Sequence, residues 1–584
     1  MKYTRIFLSP MLVAFSGFSI SSDLLADEAV PAIVLQSQKQ RIQVIQEAIP
    51  TAVSIFAGEA GGGAGVVVSA DGYALTNYHV VQPAGIAMQC GLSDGQLYDA
   101  VLVGLDPTGD VALIKLVGRS DFPHASLADS ERVEVGDFCF AIGNPFLLAT
   151  DLQPSVSAGI VSGVHRYQFP AGTILEYTDC LQVDAAINPG NSGGGLFNAQ
   201  GQIIGVNGRA SFEKRGRVNV GVGYAISANQ LENFLGFLKG GRLVDHATLG
   251  ATVATSADGR VVVSDILERS DAFRRGLRYD DEVVSLAGRP VRTVNAFKNV
   301  LGTLPAGWQV PLVYRRAGKR FEVLVRLAAV HTSAQLARIV SPEVGPDSPN
   351  EAPKNSPQEP REELPASVRN LYESRPGFVN YHFNLLEQDR VARAIKSAMV
   401  DASSARTWVL KGELVNGGAF RIQLNDAEGV IDLPTGTTRV DAAADLDVAP
   451  NPPGSGGLLG ALLVWQRLVR NGPSAVGRTE YLGTSPVFPH PSAAIVGEEA
   501  RPLKLLDTLS TSVSAVEVQF AVNEKGYVEA IDFWHEPDAD PCEVRFIGDL
   551  TEQGLPRVFD VWRGGSLFGT FKVESVAFGE GREE

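Results

Sequence analysis

Short apolar runs that alternate with polar positions fill the chain from residue 52 to about residue 226. Glycine, asparagine and Asp-Gly pairs separate these runs. Many short segments bounded by turn residues are typical of strands in an all-β barrel or sandwich. The pattern predicts strands at residues 65–69, 73–76, 111–116, 138–142 and 203–206, after a helix at residues 38–49.

Two further folded units follow. Residues 243–328 predict a small domain with its own core, with strands near 261–263, 282–286, 310–314 and 321–327 and a helix at 294–304. Residues 341–365 contain seven prolines and six acidic residues, a composition typical of a flexible, extended linker. Residues 375–584 predict an α+β C-terminal domain of unknown role, with helices near 385–398 and 458–469 and late alternating strands.

Length and charge limit the classes of partner that this protein is expected to bind. A chain of 584 residues is long enough for about three or four domains. Its formal net charge is −16, and it has no cluster of basic residues of the kind that binds phosphate groups. We therefore expect no nucleic-acid partner.

The N-terminus has the order of a secretory signal peptide. Lys2 and Arg5 precede an apolar stretch at residues 6–20, and acidic residues follow Ala26. That stretch is shorter than the roughly 20 residues that cross a bilayer, so a permanent anchor is the weaker alternative. We predict a signal peptide at residues 1–26, export to the periplasm or cell envelope, and no stable membrane span.

Four cysteines, Cys90, Cys139, Cys180 and Cys542, lack the Cys-x-x-Cys spacing of zinc or redox sites. Buried free thiols are the default interpretation. An exported protein could also form a disulfide bridge, and the spacing alone does not decide between the two.

His79, Asp110 and Ser192 are the candidate catalytic residues. A serine hydroxyl needs a base to accept its proton and an acid to orient that base, and the order His, Asp, Ser fits a chymotrypsin-like fold. Gly190-Asn191-Ser192 predicts a tight turn in which the N–H groups of Gly190 and Ser192 form an oxyanion hole. Each residue alone is more often a loop or surface residue, but the combination favours acyl transfer. This chemistry needs no cofactor and no metal.

The sequence around these residues resembles that of the HtrA/Deg family of trypsin-like serine proteases. The resemblance rests on Thr76-Asn77-Tyr78-His79-Val80-Val81, Gly109-Asp110-Val111-Ala112-Leu113 and Asp184-Ala185-Ala186-Ile187-Asn188-Pro189-Gly190-Asn191-Ser192-Gly193-Gly194. It implies a multidomain, mainly β protein in which residues 37–240 form a chymotrypsin-like double β-barrel. Two positions depart from the family pattern: Gly109 stands where threonine is usual, and Gly195 where proline or alanine is common.

The resemblance also implies a specificity pocket. The position six before the nucleophile, Ala186, would lie at its base, followed by Ile187, and Arg209 would lie nearby as a complicating cation. Because no carboxylate is present there, we expect cleavage after small or medium aliphatic residues. A sensor loop at residues 165–174 would regulate activity, and a flip of the peptide between Pro189 and Gly190 would switch the oxyanion hole.

Residues 243–328 resemble a PDZ domain of the HtrA type. Leu249-Gly250-Ala251 would begin a strand that accepts an extended C-terminal peptide, with N–H groups near Gly250 holding the terminal carboxylate. Asp280 stands where glycine is usual in this domain. The alternative is a small β-rich domain that only packs against the protease.

We therefore predict an exported, ATP-independent serine endoprotease that cleaves unfolded or misfolded proteins and binds C-terminal peptides, with a homotrimer implied by the resemblance. One alternative is a peptide-binding adaptor or chaperone with an idle protease fold. Another is a regulatory protease that cuts one specific partner. The acidic residues Glu536, Asp538 and Asp540 fit a solvated turn better than a cation site.

Overall fold

Two closed six-stranded β-barrels, a smaller β domain and a long antiparallel sheet make up the protein. The computed structural model describes residues 30–57, 62–144, 151–168, 175–212, 219–340, 364–442, 446, 451–492, 504–513, 515–536 and 539–579. The predicted signal peptide, most of the predicted linker and part of the predicted sensor loop lie outside these ranges.

The first barrel follows helix α1 (Ala32–Ala48). Its strands close in the order β1-β2-β3-β6-β5-β4, and a short helix, α2 (Tyr78–Val81), follows β3. Two of the predicted strands, β3 and β6, have the predicted bounds because Asp-Gly and Gly-Asp turns delimit them locally. The strands are β1 (Ala52–Phe56), β2 (Gly62–Val67), β3 (Tyr73–Thr76), β4 (Ala87–Leu92), β5 (Leu97–Asp106) and β6 (Val111–Leu116).

The second barrel closes in the order β10-β11-β12-β9-β8-β7, and helix α3 (Ala228–Lys239) follows it. The rings of Phe140 and Phe197 stack with their centroids 5.3 Å apart and belong to a core cluster that also contains Val66 and Leu75 of the first barrel. The two barrels therefore share a hydrophobic interface. The strands are β7 (Phe138–Gly143), β8 (Ser155–Gln168), β9 (Tyr177–Val183), β10 (Gly195–Asn198), β11 (Ile203–Phe212) and β12 (Asn219–Ser227).

A smaller β domain comes next, formed by strands β13 to β20 and called the PDZ-like domain after the resemblance stated for residues 243–328. Its main sheet has the order β14-β15-β16-β18-β19, with β17 paired to β16, while β13 pairs with β20. Helix α5 carries an N-terminal cap from the Thr293 hydroxyl, which accepts a hydrogen bond from the Ala296 N–H. The elements are β13 (Ala247–Thr248), β14 (Ala251–Thr255), β15 (Val261–Ile266), α4 (Asp271–Arg274), β16 (Glu282–Leu286), β17 (Arg289–Pro290), α5 (Val294–Gly302), β18 (Gln309–Arg316), β19 (Lys319–Arg326), β20 (Ala328–Ala329) and α6 (Ser333–Val340).

The C-terminal domain contains an 11-stranded antiparallel sheet in the order β24-β23-β22-β21-β31-β30-β29-β28-β27-β26-β25. Helix α9 is buried against it, and the indoles of Trp408 and Trp465 meet edge to face at 5.4 Å. The elements are α7 (Tyr381–Ala398), α8 (Val400–Ser404), β21 (Thr407–Leu414), β22 (Ala419–Leu424), β23 (Glu428–Leu433), β24 (Gly436–Asp441), α9 (Leu458–Asn471), β25 (Arg478–Pro486), β26 (Leu505–Val513), β27 (Val516–Val522), β28 (Val528–Trp534), β29 (Cys542–Leu550), β30 (Pro556–Arg563) and β31 (Ser566–Gly579).

The start of the C-terminal domain also packs on the first domain. Val368 and Phe383 are buried in the core cluster that the two barrels share. The Asn380 amide donates to the Leu102 carbonyl at 3.0 Å, and Asn384 donates to the carbonyls of Gly240 and Tyr481. The segment around residues 368–384 is therefore part of the protease core as well as the lead into the C-terminal sheet.

The C-terminal sheet also contacts the PDZ-like domain. Arg326 on β19 forms an ion pair with Asp532 on β28 at 2.6 Å, and the Trp308 indole donates to the Thr484 carbonyl at 2.8 Å. Asp540 pairs with Arg275 at 2.8 Å. Asp540 thus has an arginine distant in sequence as its partner, while Asp538 lies outside the described ranges, and the solvated turn at residues 536–540 stays a prediction.

These observations confirm the predicted fold class: the protein is multidomain and mainly β, and it begins with a chymotrypsin-like double barrel. All four cysteines are buried and free, as the default interpretation predicted. Within the described ranges, no helix is long and apolar enough to cross a membrane.

Candidate active site

The base and acid of the predicted triad meet at the start of helix α2. His79 lies on this helix, and Asp110 lies in the turn between β5 and β6. The His79 Nδ1 atom donates to the Asp110 carboxylate, 2.8 Å from Oδ2, and the His79 backbone N–H donates to Oδ1 at 3.1 Å. Asp110 is fully buried, while the His79 side chain remains 42% exposed. This arrangement orients the imidazole and leaves its Nε2 atom available for proton transfer.

The backbone around Asp110 is held from two sides. Its carbonyl oxygen accepts hydrogen bonds from the Asn77 amide at 2.9 Å and from the Tyr78 N–H at 3.2 Å. Asp110 itself has φ of 60°, in the left-handed region that few residues other than glycine, asparagine and aspartate adopt readily. The turn therefore fixes the carboxylate through backbone contacts as well as through His79.

Two opposing effects set the pKa of His79. Burial disfavours the charged imidazolium and lowers the pKa, whereas the hydrogen bond and the negative charge of Asp110 raise it. The net shift of the His79 pKa is upward from its usual value. A raised pKa makes the neutral imidazole a stronger base once it is deprotonated.

The turn that carries Ser192 packs against the strands that lead to His79. The Ala64 N–H donates to the Ser192 carbonyl at 2.9 Å. A Cβ atom on Gly193 would lie 2.2 Å from the Ala64 carbonyl oxygen and 2.3 Å from Thr76 Oγ1, and Gly193 has φ of 85°. Glycine is therefore required at position 193 for both space and backbone conformation.

The Ser192 hydroxyl donates to the Gly208 carbonyl on β11, at 3.3 Å. Among the residues that the structure describes, no hydrogen bond joins Ser192 to His79. The structure thus joins the predicted base to the predicted acid and leaves the predicted nucleophile turned toward β11. Catalytic hydrogen bonds are often long or misaligned without substrate, and rotation of one side chain would redirect this hydroxyl.

Gly190 has φ of 102°, a conformation open to glycine. In the described part of the chain, the N–H groups of Gly190 and Ser192 have no hydrogen-bond acceptor, whereas those of Asn191, Gly193 and Gly194 do. The two predicted oxyanion donors are therefore the uncommitted ones in this turn.

The predicted pocket residues have different environments. Ala186 is exposed, and its carbonyl accepts hydrogen bonds from Ser157 Oγ and the Asn191 amide. Ile187 is only 1% exposed and belongs to the core of the second barrel. The expectation that Ile187 forms a pocket wall thus needs correction, because its side chain packs inward. Arg209 lies on β11, but its side chain is outside the described part of the structure.

A second buried pair lies just before Asp110, the predicted catalytic acid. The Asp106 carboxylate accepts the N–H groups of Thr108 and Gly109, at 3.2 and 2.8 Å, and a hydrogen bond from His246 Nε2 at 2.8 Å. A Cβ on Gly109 would lie 2.2 Å from Asp106 Oδ2 and 2.9 Å from His246 Nε2. Glycine in place of the usual threonine at position 109 fits this crowding, because a larger side chain would overlap Asp106 and His246.

Gly195, the other departure, also has a steric cause. A Cβ there would lie 2.6 Å from the Phe197 ring. Gly195 is buried in β10 and paired with Val206 on β11, and the neighbouring aromatic ring fills the space that a larger residue would occupy.

Sequence patterns missed three residues around the triad. The Tyr177 hydroxyl donates to Asp110 Oδ2, Gly208 accepts the Ser192 hydroxyl, and His246 supports the turn before Asp110. None of them lies in a motif, and each reaches the site from a distant part of the chain. A search for buried polar side chains near turns could have suggested His246, but not its partner.

The predicted peptide-binding strand is β14, which lies at one edge of the PDZ-like sheet. Gly250 precedes it with φ of 69°, and its N–H donates to Thr248 Oγ1 at 3.1 Å. The Gly250 N–H itself is thus already occupied, and the binding of a peptide carboxylate by N–H groups near Gly250 stays a prediction. Leu249 is buried in the core of this domain, and Ala251 begins β14. Asp280 adopts φ of 64°, so it preserves the conformation that glycine would allow.

One group of possible metal ligands occurs in the described ranges: Glu131, His165 and Asp179. Arg289 of the PDZ-like domain occupies this group, because its guanidinium lies 2.9 Å from Asp179 and 3.5 Å from Glu131. Asn299 on α5 adds two hydrogen bonds, accepting from the Asp179 N–H and donating to the His165 carbonyl. The cluster therefore joins two domains by ion pairing.

A cleft of about 630 Å³ lies elsewhere, between the PDZ-like domain and the C-terminal sheet. Trp308, Arg326, Asp532 and Arg545 are among its lining residues, and none of the predicted triad residues is. Among the described residues that line this cleft, Arg326 and Arg545 both pair with Asp532.

A family model described as a trypsin-like peptidase domain matches residues 63–206. This span contains most of the strands of the two barrels, the His79–Asp110 pair and the Ser192 turn. The fold and the match define a serine-type endopeptidase domain of the trypsin-like class.

Several proteins that are similar to this chain are serine endoproteases. A probable periplasmic serine endoprotease, DegP-like, from Chlamydia trachomatis is 37% identical over 281 residues, which cover 46% of this chain and 54% of that protein. The periplasmic serine endoprotease DegP of Escherichia coli K12 is 37% identical over 277 residues, covering 45% and 56%. The solved HtrA-type protease AlgW with a tripeptide is 30% identical, with a TM-score of 0.42, and covers 50% of this chain and 98% of that one. The chain spans little more than half the length of the first two relatives.

Over its N-terminal half, the chain is therefore similar to periplasmic serine endoproteases of the DegP type and contains a trypsin-like peptidase domain.

Proposed function

We propose that this protein is an exported, ATP-independent serine endopeptidase that cleaves unfolded proteins. The observation that carries the proposal is the buried Asp110 carboxylate, 2.8 Å from His79 Nδ1, beside the turn that presents Ser192. A buried acid that orients an exposed imidazole is the arrangement that activates a serine hydroxyl. The relatives, which are periplasmic serine endoproteases, support the same activity and location.

In the proposed reaction, the Ser192 hydroxyl leaves the Gly208 carbonyl and turns toward His79 Nε2. The imidazole takes the hydroxyl proton as Oγ attacks the scissile carbonyl, and Asp110 stabilises the imidazolium that forms. The Gly190 and Ser192 N–H groups donate to the developing oxyanion. His79 then returns the proton to the leaving amine, and water hydrolyses the acyl-enzyme by the same steps.

Casein degradation and labelling with a fluorophosphonate probe test this function. We expect wild type to degrade unfolded casein without ATP and to be labelled, and Ser192→Ala to do neither. Ser403→Ala is a matched control, because Ser403 Oγ donates to the Val400 carbonyl in the C-terminal domain. A wild-type protein that is neither labelled nor active at any pH from 5 to 10 would end the proposal.

Cleavage after aliphatic residues is the proposed specificity. Its support is the absence of a carboxylate at position 186, where the exposed alanine leaves room for a small apolar side chain. A peptide library should show small or medium aliphatic residues before the cleaved bond, and Ala186→Asp should add cleavage after arginine and lysine. A wild-type profile dominated by basic residues would contradict this specificity.

Regulation by C-terminal peptides is the proposed role of the PDZ-like domain. Strand β14 at the sheet edge supports strand addition, since edge strands leave backbone groups unpaired. A peptide with a free C-terminus should bind and raise the turnover of a small substrate, while its amidated form should not. Equal turnover with both peptides would argue against this regulation. The homotrimer that the resemblance implies is testable by sedimentation equilibrium.

The second candidate is a peptide-binding adaptor with an idle protease fold. The hydrogen bond from Ser192 to Gly208, in place of one to His79, is the observation that favours it. The adaptor would suppress aggregation of an unfolded client equally well as wild type and as Ser192→Ala, with no cleavage by either. Cleavage by wild type alone would exclude it.

A further inference from the structure

The catalytic carboxylate has a second side-chain donor. Tyr177 is the first residue of β9, and its hydroxyl donates to Asp110 Oδ2, the same oxygen that lies 2.8 Å from His79 Nδ1. The tyrosine is 4% exposed and its ring belongs to the core cluster that the two barrels share. A buried hydroxyl on a buried carboxylate constrains both groups, because neither finds water as an alternative partner.

The ring of Tyr177 also lies close to β11, the strand whose Gly208 carbonyl accepts the Ser192 hydroxyl. A Cβ on Gly208 would lie 2.5 Å from Tyr177 Cε1 and 2.8 Å from its hydroxyl oxygen. The Gly208 carbonyl in turn accepts the Ser192 hydroxyl. Tyr177 therefore donates to the acid and lies beside Gly208, the residue whose carbonyl accepts the hydroxyl of the predicted nucleophile.

We propose that Tyr177 is a positioning residue that holds the Asp110 carboxylate in its orientation toward His79 and shares its negative charge. The inference rests on the proposed peptidase function, because it concerns how that triad works. Tyr177 makes no contact with the reacting atoms in this proposal. It acts through Asp110 alone.

The physical consequence concerns the imidazole. A hydrogen bond to a carboxylate oxygen disperses its charge, so the carboxylate attracts the imidazolium less strongly. Removal of the hydroxyl should return this charge to Asp110 and increase the stability of protonated His79. The carboxylate would also lose one of the contacts that fix its rotamer, while the hydrogen bonds from His79 would remain.

Tyr177→Phe is the variant that tests this role, because it deletes the hydroxyl and keeps the ring against Gly208. We expect kcat/KM to fall about tenfold, the loss that corresponds to one hydrogen bond to a charged group. The acid limb of the kcat/KM profile should move to higher pH, and KM should change little. Tyr98→Phe is the matched control, since Tyr98 donates to Asp94 on the exposed side of the first barrel.

A second readout does not require activity. In a Ser192→Ala background, the His79 ring can be titrated by NMR with labelled histidine and assigned by its loss in His79→Gln. Tyr177→Phe should raise the midpoint of this titration, and Tyr98→Phe should leave it unchanged. A merely structural role for Tyr177 would lower thermal stability without moving the midpoint.

The outcomes distinguish a failure of the proposed peptidase function from a failure of the proposed role of Tyr177. If wild type has no peptidase activity, the proposed function fails, and the NMR titration still decides whether Tyr177 acts on His79. If wild type is active but Tyr177→Phe has an unchanged pH profile and an unchanged His79 titration, the positioning role is overturned.

Discussion

His246 and Asp106 form a buried pair that links the segment after α3 to the turn before Asp110, the predicted catalytic acid. Their Nε2 and Oδ2 atoms lie 2.8 Å apart, and the two residues are 3% and 0% exposed. The other carboxylate oxygen of Asp106 accepts the N–H groups of Thr108 and Gly109. The position of Asp110 therefore depends on a histidine that lies beyond both barrels in sequence.

Gly109→Ala should damage both stability and catalysis. The new Cβ would overlap Asp106 and His246, and no backbone strain contributes because Gly109 has no positive φ. We expect the free energy of unfolding to fall by about 2 kcal/mol, as for overpacked interiors, and kcat/KM to fall by roughly tenfold or more as Asp110 shifts. Urea denaturation and steady-state kinetics measure both. In Gly579→Ala the nearest atom would be 3.7 Å away, and this control should match wild type.

His246→Ala should leave Asp106 without its side-chain partner. Removing one member of a buried pair typically costs about 3 kcal/mol, which urea denaturation can measure. Exposed His124 is the control position. A loss no larger in His246→Ala than in His124→Ala would contradict the importance of the pair.

The cost of His246→Ala should depend on pH. Burial lowers the pKa of His246, but the negative charge of Asp106 and its hydrogen bond raise that pKa by a larger amount. The net shift of the His246 pKa is therefore upward. A pKa raised on folding stabilises the protein fully below the unfolded value of about 6.5 and loses that contribution as pH rises through the folded value. The difference between wild type and His246→Ala should therefore be larger at pH 6 than at high pH. Equal differences across the range would show that the pair's charge contributes nothing.

Peptidase activity should fall with acid at a pH above the usual histidine value. The base must be neutral, and Asp110 raises the pKa of His79 despite the opposing effect of burial. The acid limb of kcat/KM should thus have a midpoint above about 6.5. A pH profile with a small chromogenic peptide measures it, and a midpoint well below that value would mean that Asp110 does not govern His79 in solution.

Asp532→Ala should weaken the attachment of the C-terminal sheet to the PDZ-like domain. Asp532 pairs with Arg326 across this interface and with Arg545 on the neighbouring strand. Without it, two largely buried guanidinium groups lose a partner, at a cost of about 3 kcal/mol. Limited proteolysis should then cut faster between the domains. Asp549→Ala, at an exposed position of β29, is the control, and equal cleavage of the two variants would contradict the prediction.

Local chemistry in the sequence predicted the barrels well. Strands β3 and β6 match the predicted bounds because alternation and adjacent turn residues are properties of the same few positions. Helix α1 begins six residues earlier than predicted, because its exposed first turns lack the apolar periodicity that marks a helix packed on a core.

The sequence could not predict which strands distant along the chain pair with one another. Strand β21 pairs with β31, with Trp408 opposite Phe578, and no local pattern specifies which distant strand a given strand joins. The late strands were predicted, but not a single sheet of 11 strands or its contacts with α3 and the PDZ-like domain.

The same limit applied to the candidate site. The sequence predicted His79, Asp110 and Ser192 as candidates because their neighbours carry a motif, and these catalytic assignments stay predictions. It could not predict the direction of the Ser192 hydroxyl, which depends on the Gly208 carbonyl, or the space at Gly109, which His246 fills from across the fold.

The left-handed backbone of residue 110 places a second constraint on the choice of side chain. Of the two acidic residues, aspartate is enriched at positive φ because its short side chain can hydrogen-bond locally. Selection for the turn and selection for hydrolysis therefore favour the same residue. A descendant that had lost peptidase activity would still be held to aspartate, asparagine or glycine at this position. Decay of the function would be visible in the sequence first at His79 and Ser192, and only later at Asp110.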